Sequence, residues 1–122
     1  MSSDTIVDIL GTKYFIYYLG YDEDPRFKVN GWQAFVGTTS KMIAVGILRT
    51  FPEMRAVDDD TLKEVEKKNL RHEIIHAFLN ESGLDANTHA PRCPWTQNEE
   101  MVDWFAIQMP KIYAVFEKLG IL

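Results

Sequence analysis

His72-Glu73-Ile74-Ile75-His76 is the part of this chain with the clearest capacity for chemistry. Two histidines four apart on a helix project from one face, so both imidazoles can share one metal ion. Zinc is the ion that suits such ligands when a coordination position stays open for water. Glu73, beside the first histidine, is then placed to take a proton from that water as a general base. The plainer alternative is a helix carrying two solvated or packed histidines.

A zinc site needs a third protein ligand. The candidates are His89 and Cys93 in the segment after the motif, and Glu99, Glu100 and Asp103 beyond it. A metzincin continuation would need glycine and then histidine where the chain has Leu79 and Ser82, so that class is excluded. Glu99 and Asp103 are spaced i, i+4 and share a helix face. One carboxylate can bind the metal while the other accepts the free N–H of a ligand histidine. Glu99 is therefore the favoured third ligand, with His89 next and Glu100, Asp103 and Cys93 behind it. An acidic first helical turn would account for Asn98-Glu99-Glu100 without any metal.

The elements that must position these residues follow from patterning. Thr5–Leu10 and Lys13–Leu19 read as strands joined at Gly11-Thr12, a hairpin. Tyr21 to Asn30, around Pro25, reads as a loop. Trp32–Val36 and Met42–Leu48 form a second hairpin about Gly37-Thr38-Thr39-Ser40-Lys41, and Phe51–Val57 is a connector. Asp58-Asp59-Asp60 precedes a Thr61-x-x-Glu64 capping box, and nothing breaks the helix before Gly83, a C-terminal cap residue. That span is about 22 residues, roughly 33 Å. Leu84 to Trp95, with Pro91 and Pro94, must be loop. A second capping box, Thr96-Gln97-Asn98-Glu99, opens a last helix with Val102, Phe105, Met109, Ile112, Phe116 and Leu119 as its apolar stripe and a kink at Pro110. The expected fold is α+β: an N-terminal antiparallel or mixed sheet of two hairpins, packed on two long C-terminal helices.

Composition sets bounds on the rest. The 122 residues suffice for one domain, taken as 1–122, and 46% hydrophobic with 25% charged residues is ordinary for a globular protein. A net charge of -5 without a basic face argues against nucleic acid. Cys93 is the one cysteine, so no intrachain disulfide forms, and a reducing compartment is expected. The N-terminal residues lack the pattern of a signal peptide, and no apolar run approaches the roughly 18 residues that span a bilayer. A cytoplasmic protein with no membrane partner, monomeric by default, is the expectation.

His72-Glu73-x-x-His76 followed by Asn98-Glu99-Glu100-Met101-Val102-Asp103 resembles the HExxH and NExxxD pair of the gluzincins, the thermolysin-type zinc metallopeptidases. The resemblance implies one zinc ion held by His72, His76 and Glu99, with Asp103 supporting a ligand histidine, most directly His72, and Glu73 as the base. Glu99 to Pro110 is also similar to the second-helix signature of ImmA/IrrE-type metalloproteins. The short chain resembles the minigluzincins and the small HExxH proteins of phages and mobile elements. These likenesses cover about residues 61–110 and imply zinc-dependent hydrolysis of a peptide or protein substrate. In related zincins the substrate pairs with an edge strand, and Met42–Leu48 is the candidate edge.

The larger gluzincins take a transition-state-stabilising His or Tyr from a C-terminal lobe that has no counterpart in these 122 residues. Tyr113, His89, Tyr18 and Tyr21 are the substitutes on offer. Cys93, as a thiolate, could instead cap the metal and hold the site inactive. The alternative to an enzyme is therefore a non-catalytic or autoinhibited zinc-site domain acting as a regulatory or interaction module. A retained Glu73 favours catalysis, because a purely structural site has no use for a base.

Overall fold

The computed structural model describes residues 3–83 and 99–122. The side chains at 99, 100, 102, 103 and 106 lie outside that description. The architecture is α+β, with a four-stranded mixed sheet and three α-helices among the described residues.

Strands β1 (Thr5–Ile9) and β2 (Thr12–Leu19) form the first antiparallel hairpin. Its turn is set by Leu10 and Gly11, both at positive φ, with the Gly11 N–H donating to Asp8 Oδ1 at 2.8 Å. Strands β3 (Ala34–Gly37) and β4 (Met42–Gly46) form the second. The two hairpins join through a parallel pairing of β2 with β4, which gives the order β1-β2-β4-β3. Both expected hairpins are present. Met42–Leu48, however, is not an edge: β4 is flanked by β2 and β3, so its backbone is paired on both sides. The sheet ends at β1 and at β3, the latter because the chain crosses from β2 to the far side of β4 before turning back.

That crossing is made by α1 (Pro25–Asn30), a short helix where the sequence reads as loop. Proline at the first helical position needs no backbone donor, so Pro25 starts the helix rather than breaking it. Asp24 caps it by accepting from the Arg26 N–H at 2.9 Å, and Gly31 closes it at φ 69°. Phe27 of α1 is buried against Phe35 and Phe51 on one face of the sheet. Gly46 permits this closure: a Cβ there would lie 2.5 Å from Phe51 Cζ and 2.7 Å from the Gln33 carbonyl oxygen.

The other face of the sheet packs on α2 (Asp59–Glu81) and α3 (Glu99–Leu119). Two short 3-10 turns, Leu48–Thr50 and Pro52–Met54, lead into α2. The cap of α2 is Asp58, which accepts from Thr61 N–H and Oγ1 at 3.0 and 2.7 Å, so Thr61 is the third helical residue and not the cap. Asp58 outcompetes Thr61 because a carboxylate also gains from the helix's positive end. Gly83, at φ 83°, follows the helix end as expected. The buried residues of α3 include Met101, Trp104, Ile112 and Phe116. At 100° per residue this face is rotated toward Trp104, which leaves Met109 at its rim and 42% exposed, contrary to the expected stripe. Pro110 lies inside α3 without ending it. Among the described residues no helix is long and apolar enough to cross a membrane.

Glu81, at the end of α2, ties the helix to both hairpins. Its carboxylate accepts from Tyr14 OH and Lys41 Nζ at 2.7 Å each, and from Thr12 Oγ1 at 2.8 Å. The Lys41 and Tyr14 bonds hold its carboxyl down at about 2, while burial and this same carboxylate push the Tyr14 hydroxyl up to about 12. A carboxyl depressed in the folded state stabilises the fold above its unfolded value and loses that contribution as it becomes protonated. Stability should therefore fall as the pH drops from about 4.5 toward about 2. Glu81→Gln should cost about 1–3 kcal/mol at neutral pH and flatten that acid limb, as read by urea unfolding across pH.

Candidate metal centre

The helical period of α2 sorts the motif between two environments. Leu70, Ile74, Ala77 and Phe78 form the stripe buried against the sheet and α3. Glu73 falls on the rim of this stripe and is only 8% exposed, whereas His72 and His76 lie further round on the exposed side. One turn of helix thus puts the carboxylate inside and both imidazoles outside.

The two rings meet. Their Nε2 atoms are 3.1 Å apart, and the rings stand edge to face at 4.7 Å between centroids. At that separation either one nitrogen donates a proton to the other, or both lone pairs address one shared electrophile. Two nitrogens bound tetrahedrally to one zinc at about 2.0–2.1 Å would lie roughly 3.3 Å apart. The separation of the pair is close to that of two nitrogens on one zinc ion, and imidazole nitrogen is a suitable donor for it.

The remaining site residues divide by position. Glu99 is the first residue of α3, and Asp103 lies one turn further along the same helix. Their side chains, like that of Glu100, lie outside the described part of the structure, as do His89 and Cys93 altogether. Among the described residues no group of three or more His, Cys, Asp or Glu could hold a metal. The tyrosines weighed as substitutes stand in different places. Tyr21 packs edge-on against Phe51 at 4.9 Å on the opposite face of the sheet. Tyr18 sits on β2, where burial and then the charges of Glu66 and Asp4 raise its pKa. Tyr113 is 51% exposed on α3.

A feature that the linear pattern does not reveal adjoins the histidines. An open cleft of about 500 Å³ runs between the start of β3 and α2. Trp32 and Gln33 line it from the first side, and Lys68, Asn69, His72 and Glu73 from the second. Asn69 Nδ2 donates to Gln33 Oε1 at 3.1 Å and pins the wall to the helix. Lys68 was recognisable in principle, being one turn before His72. The Trp32 wall depends on the crossing through α1 and has no local signal.

Glu73 has no hydrogen bond to its carboxylate among the described residues, and it lines this cleft. Burial raises its pKa above the usual carboxylate value, opposed by the nearby charge of His72. In the metal-free chain a raised carboxyl favours the fold below its unfolded value of 4.5 and weakens it as the pH rises through the folded value. Glu73→Gln should accordingly raise stability at neutral pH by about 0.5–2 kcal/mol, with the gain vanishing in acid. Thermal unfolding of the metal-free proteins at two pH values measures both. No family model matches the chain, and no curated protein or solved structure is significantly similar to it.

Proposed function

We propose that this chain is a zinc-dependent peptide-bond hydrolase of the gluzincin type, on a minimal zincin-like domain. The observation that carries the reading is the His72–His76 nitrogen pair at 3.1 Å beside Glu73, a buried residue whose carboxylate has no hydrogen bond among the described residues. A structural metal site gains nothing from a partly desolvated carboxylate next to its ligands. The proposed ligands are His72, His76 and Glu99, with Asp103 orienting an imidazole and one zinc ion as cofactor.

Zinc, when bound, would supply Lewis-acid polarisation of a water and of the scissile carbonyl. Glu73 takes the proton of the attacking water and returns it to the departing amine. Desolvation suits it to the first task, because a carboxyl with a raised pKa binds the proton more firmly. The substrate lies along β3, an edge strand in the sheet order and the one that borders the cleft. An extended peptide there would extend the sheet through main-chain bonds and pass the cleft that opens on His72 and Glu73.

Glu73→Gln should keep one zinc per chain while cleavage falls by about 100- to 10,000-fold. Metal analysis and a search for new protein N-termini, in cells expressing each form, read the two effects separately. Zinc-loaded wild type that yields no more termini than Glu73→Gln would leave the metal in a non-catalytic domain. Wild type that takes up no zinc would end the account. Glu99→Ala should lower zinc affinity by at least about 10-fold, and undiminished affinity would shift the third ligand to His89.

A further inference from the structure

We infer that the cleft beside the histidine pair selects peptides carrying an acidic side chain, which Lys68 receives. This inference rests on the hydrolase reading and assigns it a substrate class. Lys68 lies one turn before His72, on the same side of α2, and its side chain is exposed in the cleft. The acid that could neutralise it along the helix, Glu64, is held by Lys67 at 3.3 Å. Lys41, Arg26, Lys28 and Arg49 are likewise engaged with Glu81, Asp24, Asp22 and Asp59. Lys68 has no ion pair among the described residues, on a chain whose net charge is -5. An unpaired cation opening onto a site is the arrangement that steers an anionic group into place.

The rest of the cleft supports the same occupant. Gln33 Oε1 accepts from Asn69, which leaves the Gln33 amide nitrogen as a second donor for a carboxylate. Trp32, 45% exposed, gives an aromatic wall against which the aliphatic part of a Glu or Asp side chain can lie. Glu73 is the only acid among the described lining residues. A basic side chain would meet Lys68 head-on.

The test uses the full chain as Glu73→Gln, zinc-loaded and immobilised, so that binding is read without turnover. A random library of acetylated, amidated peptides is passed over it, and the retained fraction is sequenced. Peptides containing Asp or Glu should be retained about five-fold or more over those containing Lys or Arg. Adding Lys68→Met should abolish that preference, and adding Lys68→Glu should invert it. Lys68 is exposed, so neither change disturbs packing. Absence of an acidic preference, or the same preference in Lys68→Glu, overturns the inference. Metal analysis of the same resin separates the two failures. A zinc-loaded resin without acidic preference defeats only the specificity assignment, whereas a resin that binds no zinc defeats the hydrolase reading and this inference with it.

Discussion

The geometry of the candidate site depends on one constraint, the 100° turn per residue of α2 against a flat sheet. Only part of the helix circumference can be buried, and the boundary of that part runs between Glu73 and His76. A carboxylate at the boundary is desolvated yet still opens on the cleft, and the two imidazoles one step beyond remain accessible. Moving the motif one position toward the C-terminus would place both histidines and the glutamate at buried positions, and one position the other way would put the glutamate at an exposed one. The register of α2 is therefore as important as the identity of its residues, and Asp58 at one end and Glu81 at the other hold it.

The sheet order has an equally direct effect on the cleft. Because β2 pairs in parallel with β4, the chain must leave β2, cross through α1 and come back along the far edge. That detour brings Trp32 and Gln33 beside α2, opposite Asn69 and His72. Gly46 is the concession that lets the detour close tightly, with the Gln33 carbonyl accepting from the Gly46 N–H at 2.8 Å.

What could be read in the sequence was local. The hairpin at Gly11, the second at residues 37–41, the helix that carries the histidines and its stop at Gly83 all have signals within a few residues of themselves. What could not be read was relational. Pro25 looks like a breaker until Asp24 is seen capping a helix behind it. Met42–Leu48 looks like an edge because it precedes the active helix in sequence, yet hydrogen-bonded neighbours, not chain order, decide which strand is outermost. Met109 fits a three-four spacing as well as its neighbours do, and only the direction in which Trp104 is buried shows that it stands at the rim. The histidine pair was legible because four-residue spacing on a helix is a distance in disguise. The cleft was not, since its walls come from segments more than thirty residues apart.

The same difference in separation sets an order of assembly. His72 and His76 belong to a single helical stretch, so their nitrogens can converge as soon as α2 forms. Local contacts of this kind arise early in folding, whereas the parallel union of β2 with β4 must wait for closure of a long loop. Trp32 and Gln33 reach α2 only once that union is made. A partly folded chain would thus bring the two imidazoles together before the cleft beside them existed. The joining of the two hairpins is the step that completes that cleft.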